Sequence, residues 1–179
     1  MFKQLSRRQR EQFETQALVH LDALLRAAAR LCDSQEKAED AVQQTYLQAW
    51  KYWSSFQQGT NCRSWLFRIL FNVIKKEYSA HQFLSVDEAT AANVLRFTPD
   101  RQIEAYEVME AFDHLEQEHR AVLLLITVQE MSYKEAAFVL GVPVGTVMSR
   151  LNRARTRLRK LLKREPGFSQ AEVVKRCYE

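Results

Sequence analysis

The sequence contains few of the residues that interrupt helices, because only four of its 179 residues are glycine and three are proline. Apolar residues recur at helical spacing along most of the chain, as expected for amphipathic helices. An apolar content of 46% is enough for a packed core and argues against a disordered chain. We therefore predict an all-α fold, made of two small helical domains joined by a linker.

Cysteine is also scarce, and Cys32, Cys62 and Cys177 lie far apart without forming a C-x-x-C pair. The histidines offer no better metal motif, since His114 and His119 are five residues apart, whereas two ligands on one helical face need a spacing of four. A disulfide framework and a metal site are both disfavoured. We expect no metal and no other cofactor, and a reducing cytoplasm suits these cysteines.

Long apolar runs are missing as well. The longest, Ala121 to Ile126, is far too short to cross a bilayer. The basic residues near the N-terminus are not followed by an apolar stretch of signal-peptide length. These features predict a cytoplasmic protein without membrane insertion. An enzyme is disfavoured too, because the sequence shows no nucleophile–base pair, metal cluster or glycine-rich phosphate loop.

Charge is distributed unevenly, although the formal net charge is only +4. Residues 87–118 include nine acidic and two basic side chains, whereas residues 145–165 include eight basic and one acidic. This contrast indicates one end that binds a polyanion and a middle that repels DNA.

The apolar periodicity predicts the individual helices. A capping pair, Asp33-Ser34, separates the first two helices, and Pro99 precedes the helices of the second half. The predicted helices are Gln9 to Cys32, residue 35 to about Trp53, Cys62 to Tyr78, Asp100 to about Leu115, and Glu118 to Gln129. In the first helix, the candidate core residues are Phe13, Leu18, Leu21, Leu24, Leu25 and Leu31.

Residues 133–160 contain two further helical patterns, separated at Gly141-Val142-Pro143. Gly141 can end the first helix and Pro143 lies where the second begins, which is typical of a helix-turn-helix. At about 100° per residue, the second helix carries small polar residues opposite its apolar stripe, between two basic flanks. That arrangement suits a major groove, with polar groups at base edges and arginines at phosphates, although basic faces also occur on ordinary surface helices. The polar residues are Gly145, Ser149, Asn152 and Thr156; the flanks are Arg150, Arg153, Arg157 and Lys160 on one side and Arg155 and Arg159 on the other.

Ten of the nineteen aromatic residues fall between residues 46 and 83. Such residues usually fill a core, as we expect for Trp50, Phe67 and Phe71, but they can also stack on unpaired bases. The helix predicted from residue 62 supports stacking for some of them, because its one polar stripe combines basic groups with an amide that both donates and accepts hydrogen bonds. The stripe consists of Arg68, Asn72, Lys75 and Lys76, with Trp65 at its start.

Four segments resemble the extracytoplasmic-function (ECF) class of bacterial RNA polymerase sigma factors. Residues 38–56, AEDAVQQTYLQAWKYWSSF, are similar to region 2.2 and the following turn. Residues 56–76, FQQGTNCRSWLFRILFNVIKK, resemble regions 2.3 and 2.4. Residues 131–160, MSYKEAAFVLGVPVGTVMSRLNRARTRLRK, resemble region 4.2, and HLEQEHRAVLLLITVQE at 114–130 lies where region 4.1 is expected.

The resemblance implies the domain limits and the contacts of each domain. A region 2-like domain would span 9–82, a linker 83–99, a region 4-like domain 100–165 with its helix-turn-helix at 132–160, and a C-terminal tail 166–179. Contacts with core polymerase would come from Asp40, Gln43, Gln44 and Gln48. Binding and melting of the −10 element would use Phe56, Asn61, Trp65, Arg68, Asn72, Lys75 and Lys76. Binding of the −35 element would use Gly145, Thr146, Ser149, Arg150, Asn152, Arg153 and Arg157.

This chain departs from the family pattern at Met148, where many relatives carry lysine or arginine, and at Glu116, where a proline is common. The implied function is an ECF-type sigma factor that binds core RNA polymerase and directs promoter-specific initiation. Its expected partners are the core enzyme, promoter DNA and an anti-sigma factor. Two alternatives remain open: a sigma-like mimic that sequesters an anti-sigma factor, and a stand-alone helix-turn-helix regulator.

Overall fold

The structure, a computed structural model, describes residues 6–57, 59–81 and 107–162. These residues form helices and connecting turns, and none of them belongs to a β-strand. The chain divides into two compact units. Of the described residues, the first unit comprises 6–57, 59–81 and 138–141, and the second comprises 107–137 and 142–162. The all-α prediction is confirmed. The predicted linker at 83–99, the tail at 166–179 and the expected helix start at Asp100 lie outside the described residues.

The first unit begins with two helices where the sequence predicted one. Helix α1 spans Arg7–Gln16, a 3₁₀ turn covers Leu18–His20, and α2 spans Leu21–Leu31. Thr15 contributes to the break, because its hydroxyl donates to the carbonyl oxygens of Glu11 and Gln12, a type of bond that bends helices. The single helix from Gln9 to Cys32 was therefore wrong.

The core of the first unit forms where α2, α3 (Gln35–Tyr52) and α4 (Cys62–His81) pack against one another. Buried alanines on α2 and α3 let these helices approach closely, while α4 contributes larger apolar side chains. Phe13, Leu24 and Leu31 are buried as predicted, but Leu18 and Leu21 are exposed because the break turns them outward. The buried α4 residues are Leu66, Phe67, Leu70, Val73 and Ile74.

Side chains cap both α3 and α4. The Ser34 hydroxyl accepts a hydrogen bond from the Lys37 amide at 3.2 Å, in agreement with the predicted cap of the second helix. Asn61 does the same for α4, since its side-chain oxygen accepts from the Ser64 amide at 3.0 Å. A short 3₁₀ turn, Trp53–Ser55, and an exposed loop connect the two helices.

In the second unit, residues 107–113 are helical (α5) and α6 spans Gln117–Leu123. The predicted helix continues after α6 as a π-helical segment, Leu124–Val128. The segment ends at Val128, and Glu130, two residues later, has a φ of 51°, which places a non-glycine residue in the left-handed region. Helix α6 packs against α8, and Val122, Leu125, Val147 and Leu151 are buried in this unit.

Local signals define the helix-turn-helix. Helix α7 (Tyr133–Leu140) begins with a capping box, in which the Ser132 hydroxyl accepts from the Glu135 amide and the Ser132 amide donates to the Glu135 carboxylate. It ends at Leu140, because the next residue, Gly141, has a φ of +66°, and the Val142 amide donates to the Ala137 carbonyl. Pro143 then starts α8 (Val144–Leu162) by accepting bonds from the amides of residues 146 and 147.

Candidate nucleic-acid interface

Helix α8 presents the polar face that the sequence predicted. Val147, Leu151, Ala154 and Leu162 are buried along one side of the helix. The opposite side is exposed and carries mainly small polar residues with basic residues around them. Its exposed members are Gly145, Ser149, Asn152, Arg153, Thr156, Arg157, Arg159 and Lys160, while Thr146, Arg150 and Arg155 are partly buried.

Neither the backbone conformation nor the packing of the second unit requires a glycine at position 145. Gly145 lies in the first turn of α8, its φ is not positive, and a Cβ built on it would meet nothing within 4 Å. Glycine within a helix costs about 0.5–1 kcal/mol relative to alanine. A residue that destabilises its helix and faces open space is suited to a surface that another molecule must approach closely.

Among the residues predicted to bind the −35 element, Arg150 forms an ion pair. Its Nη2 lies 2.8 Å from Oε2 of Glu118 on α6, and its side chain is only 23% exposed. The bond joins the two helices that pack together in this unit. Arg153 and Arg157, by contrast, are exposed. A guanidinium has five N–H donors, so Arg150 keeps donors that are not used in the contact with Glu118.

Two exposed apolar residues on α8 were not among the predicted site residues. Met148 is 53% exposed and Val144 is 38% exposed. They are four residues apart and therefore adjacent on the helix surface. The sequence indicated Met148 only as a departure from the family pattern.

On α4, the structure places the predicted polar stripe on one exposed face. Arg68, Asn72, Lys75 and Lys76 are all exposed, at a spacing that keeps them on the same side of the helix. The opposite side forms the core of the first unit. The face therefore offers positive charge and one amide to a strand lying along the helix.

Phe56 and Trp65, also predicted for the −10 element, belong to an aromatic cluster around Trp53. The Trp53 and Phe56 rings stack with centroids 5.0 Å apart, and the Phe56 and Trp65 centroids are 4.9 Å apart. Phe56 is 8% exposed, whereas Trp65 is partly exposed. Phe56 is therefore largely covered by its aromatic neighbours, and Trp65 is the more accessible ring of the two.

The loop between this cluster and α4 is exposed. Gly59 has a φ of +87°, which favours glycine, and the Thr60 hydroxyl donates to the Gln57 carbonyl at 2.7 Å. Asn61 is exposed but its side-chain oxygen caps α4. Asn61 therefore positions the loop at the N-terminus of the helix that carries the basic stripe.

A second surface of the first unit lies on α3, where the predicted polymerase contacts Asp40, Gln43, Gln44 and Gln48 are all exposed. Gln43 also lines an open, almost wholly apolar groove of about 620 Å³. The sequence did not indicate this groove, because it assigned Leu18 and Leu21 to the core. Its apolar lining is Phe13, Leu18, Leu21, Leu25, Val42, Tyr46, Leu47 and Trp50.

Two partly buried side chains of the first unit, Cys62 and Tyr46, have raised pKa values because burial disfavours their charged forms. Burial raises the pKa of the Cys62 thiol to about 11, so this cysteine is not a thiolate at neutral pH. Burial, with smaller contributions from Cys62 and Asp22, raises the pKa of Tyr46 to about 12. The Tyr46 hydroxyl donates to the Ala17 carbonyl at 3.1 Å, which fixes α3 against the break between α1 and α2.

The described residues contain no cluster of three or more His, Cys, Asp or Glu side chains suited to a metal ion. Within this same part of the chain, no helix combines the length and apolarity needed to cross a membrane.

Comparison with known proteins gives family matches in both halves of the chain. Residues 18–83 match the family model of sigma-70 region 2, and residues 105–158 match that of sigma-70, region 4. The chain is 36% identical over 148 residues to the ECF RNA polymerase sigma factor EcfG of Rhodopseudomonas palustris, covering 81% of this chain and 82% of that protein.

Two solved structures show the same fold. The sigma factor RpoE of Bartonella quintana, in complex with the anti-sigma factor NepR, is 31% identical with a TM-score of 0.72, covering 86% of this chain and 98% of that one. CnrH in complex with the cytosolic domain of CnrY is 29% identical with a TM-score of 0.66, covering 87% and 90%. This protein belongs to the ECF RNA polymerase sigma factors.

Proposed function

We propose that this sigma factor recognises a promoter with two separate surfaces, the exposed face of α8 for the −35 duplex and the basic stripe of α4 for the opened −10 strand. The observation that carries the proposal is the polar face of α8, where Gly145 leaves open space beside Ser149 and Asn152. A helix with such a face, flanked by exposed arginines, fits a major groove.

The −35 contacts divide by chemistry. Ser149 and Asn152 can donate to and accept from base edges, whereas Arg153 and Arg157 supply positive charge for phosphates. Arg150 has two roles in this proposal: its bond to Glu118 ties α8 to α6, and the N–H groups not used in that bond donate to DNA. Gly145 and Thr146, in the first turn, allow the helix backbone to approach the groove.

The −10 contacts follow from the exposed stripe on α4. Arg68, Lys75 and Lys76 hold the phosphates of the opened strand, and Asn72 contacts a base through its amide. Phe56 and Trp65 form the aromatic wall of a pocket for an unstacked base, with Asn61 holding the adjacent loop. Unstacking costs a few kcal/mol, so a complementary pocket makes opening sequence-dependent.

Core RNA polymerase binds the exposed side of α3 in this proposal. Asp40, Gln43, Gln44 and Gln48 supply polar contacts, and the apolar groove beside Gln43 supplies buried area. Interfaces with an apolar centre and a polar rim are common between proteins. Leu47, which is 43% exposed in the groove, is the residue we expect to lose most accessible surface on binding.

An anti-sigma factor is the further partner we propose, because the similar sigma factor RpoE was crystallised with the anti-sigma factor NepR. The similar protein CnrH was also solved in a complex, with the cytosolic domain of CnrY. The protein itself is a non-enzymatic initiation subunit that acts in the cytoplasm, where core polymerase and promoter DNA are found. The chemistry of RNA synthesis belongs to the core enzyme.

Transcription with purified core polymerase and the intact chain tests the proposal. Promoters are first isolated by selecting bound duplexes from a random-sequence library, and specific initiation is then measured. The double variant Arg153→Ala, Arg157→Ala should lose most initiation, while Arg7→Ala, which removes an exposed arginine of α1, should keep it.

Three outcomes would contradict the proposal. If no template supports specific initiation, the chain is not an active sigma factor. Tight, specific duplex binding without core polymerase would favour a stand-alone regulator. Binding of an anti-sigma factor without any initiation, unaffected by the double variant, would favour the sigma-like mimic.

A further inference from the structure

The apolar pair Met148 and Val144 on α8 has no evident structural function within the second unit. Met148 is 53% exposed and Val144 is 38% exposed, whereas Val147 and Leu151 fill the core beside them. At about 100° per residue, Met148 lies well away from the direction in which Val147 is buried. The fold of this unit therefore does not require an apolar side chain at position 148.

Exposure alone would not distinguish Met148, because single apolar residues are common on protein surfaces. Its position does. Met148 precedes Ser149 and lies one turn before Asn152, at the edge of the exposed polar face. It is also in the first half of α8, the part of a recognition helix that contacts base edges in helix-turn-helix proteins.

The major groove offers an apolar side chain one particular partner on the base edges. Among the base pairs, only A·T and T·A present a methyl group there, at C5 of thymine, while the other edge groups are hydrogen-bond donors or acceptors. A methionine side chain is unbranched and polarisable and fits irregular apolar surfaces. A lysine or arginine at the same position would instead reach for phosphate or guanine.

We propose that Met148, with Val144 beside it, packs against the 5-methyl group of a thymine in the −35 element. This apolar contact makes one position of that element thymine-specific. This inference rests on the proposed function, in which α8 enters the major groove. It adds to that function a specificity determinant that comes from this chain's own departure from the family pattern.

Deoxyuridine provides a direct test, since it differs from thymidine only by the missing 5-methyl group. Duplexes are selected with holoenzyme formed from the intact chain and core polymerase, and each thymine of the −35 element is then replaced singly by deoxyuridine. At one position we expect the replacement to weaken binding about fourfold, the effect of removing one buried methyl-sized group. Met148→Ala and Met148→Gln should bind the two duplexes equally.

Val128→Ala provides a matched control, because Val128 is 63% exposed in the same unit but lies on the π-helical segment outside α8. This variant should keep the fourfold difference. Selection with Met148→Lys should no longer enrich thymine at the sensitive position. Thermal unfolding of each variant shows whether it is folded, and an exposed site should tolerate all of these changes.

The outcomes separate this inference from the proposed function. Holoenzyme that initiates specifically but binds thymine and deoxyuridine duplexes equally at every position would overturn the inference alone. So would a Met148→Ala variant that retains the difference, or that weakens both duplexes without changing their ratio. Failure to select any specific duplex would overturn the proposed function, and the inference with it.

Discussion

Arg150 on α8 and Glu118 on α6 form an ion pair with Nη2 2.8 Å from Oε2. The arginine is 23% exposed and the carboxylate 65% exposed, so the acidic partner lies at the solvent edge of the contact. The pair places a negative charge next to a helix whose other charged residues are all basic. We infer that Glu118 orients Arg150 and lowers the attraction of this end of α8 for phosphate in general.

Glu118→Gln should therefore increase non-specific DNA binding and reduce discrimination. The change removes one negative charge at nearly constant size, so the dependence of log affinity on log salt should steepen by roughly one counterion. Stability should fall by less than about 1 kcal/mol, because the Glu118 carboxylate is mostly exposed and an ion pair at the solvent edge contributes little. Titration of holoenzyme against specific and random duplexes at several salt concentrations measures both effects.

The matched control is Glu11→Gln, which removes the carboxylate of the Arg7–Glu11 pair on α1. It changes the net charge equally but should leave the salt dependence nearly unchanged. Equal slopes for the two variants would show that Glu118 has no specific effect on the DNA-binding helix.

Gly145→Ala should stabilise the second unit and weaken promoter binding. Alanine is preferred in a helix by about 0.5–1 kcal/mol, and the added Cβ meets nothing within 4 Å in the free protein. In the complex that Cβ would meet DNA, and crowding of this kind costs about 1–3 kcal/mol, or roughly fivefold or more in affinity. Denaturant unfolding and duplex titration give the two quantities.

Gly59→Ala is the control for Gly145→Ala, because it separates the effect of backbone conformation on stability from the effect of the space around the residue. A Cβ at Gly59 also meets nothing within 4 Å, but its φ is +87°, so alanine should destabilise the first unit. If Gly145→Ala stabilised the fold without changing affinity, the first turn of α8 would not approach DNA closely.

Asn72→Ala should impair strand opening more than duplex binding. Loss of one amide contact to an unstacked base is expected to reduce open-complex formation by roughly twofold to tenfold, the range for a net hydrogen bond. Permanganate reactivity of thymines in the −10 element measures opening. A template already mismatched there should rescue an opening defect, but a variant whose initiation stayed low on it would point to a defect outside melting.

Leu47→Gln should weaken binding to core polymerase by about tenfold, because a side chain in the apolar groove would be replaced by a polar one. Val19→Gln is the control: Val19 is 67% exposed, more than Leu47, but does not line the groove. Competition for core enzyme with a labelled copy of the wild-type chain gives the relative affinities. Equal losses in both variants would argue against the groove as the docking surface.

Glu130→Gly should stabilise the second unit without changing promoter selection. Glu130 is exposed and has a φ of 51°, a conformation that costs a non-glycine residue about 1–2 kcal/mol. Part of that gain is offset by the greater freedom of glycine in the unfolded chain. Thermal unfolding should show an increase, and a decrease would mean that the Glu130 side chain makes a stabilising contact.

The sequence by itself determined most of the helices and the turn of the helix-turn-helix. The signals are local: apolar residues at helical spacing, Ser34 as a cap, and Gly141 in a conformation that favours glycine. The polar stripes of α4 and α8 could be predicted for the same reason, since the helix period alone decides which residues share a face.

Tertiary structure decided the features that depend on residues distant in sequence. The pairing of Arg150 with Glu118 joins positions 32 apart, and the contact of Tyr46 with Ala17 spans 29. The break after α1 turns Leu18 and Leu21 from predicted core positions into the lining of a groove. Helical periodicity shows which side of a helix is apolar, but only packing decides whether that side is covered by another helix or left open to a partner.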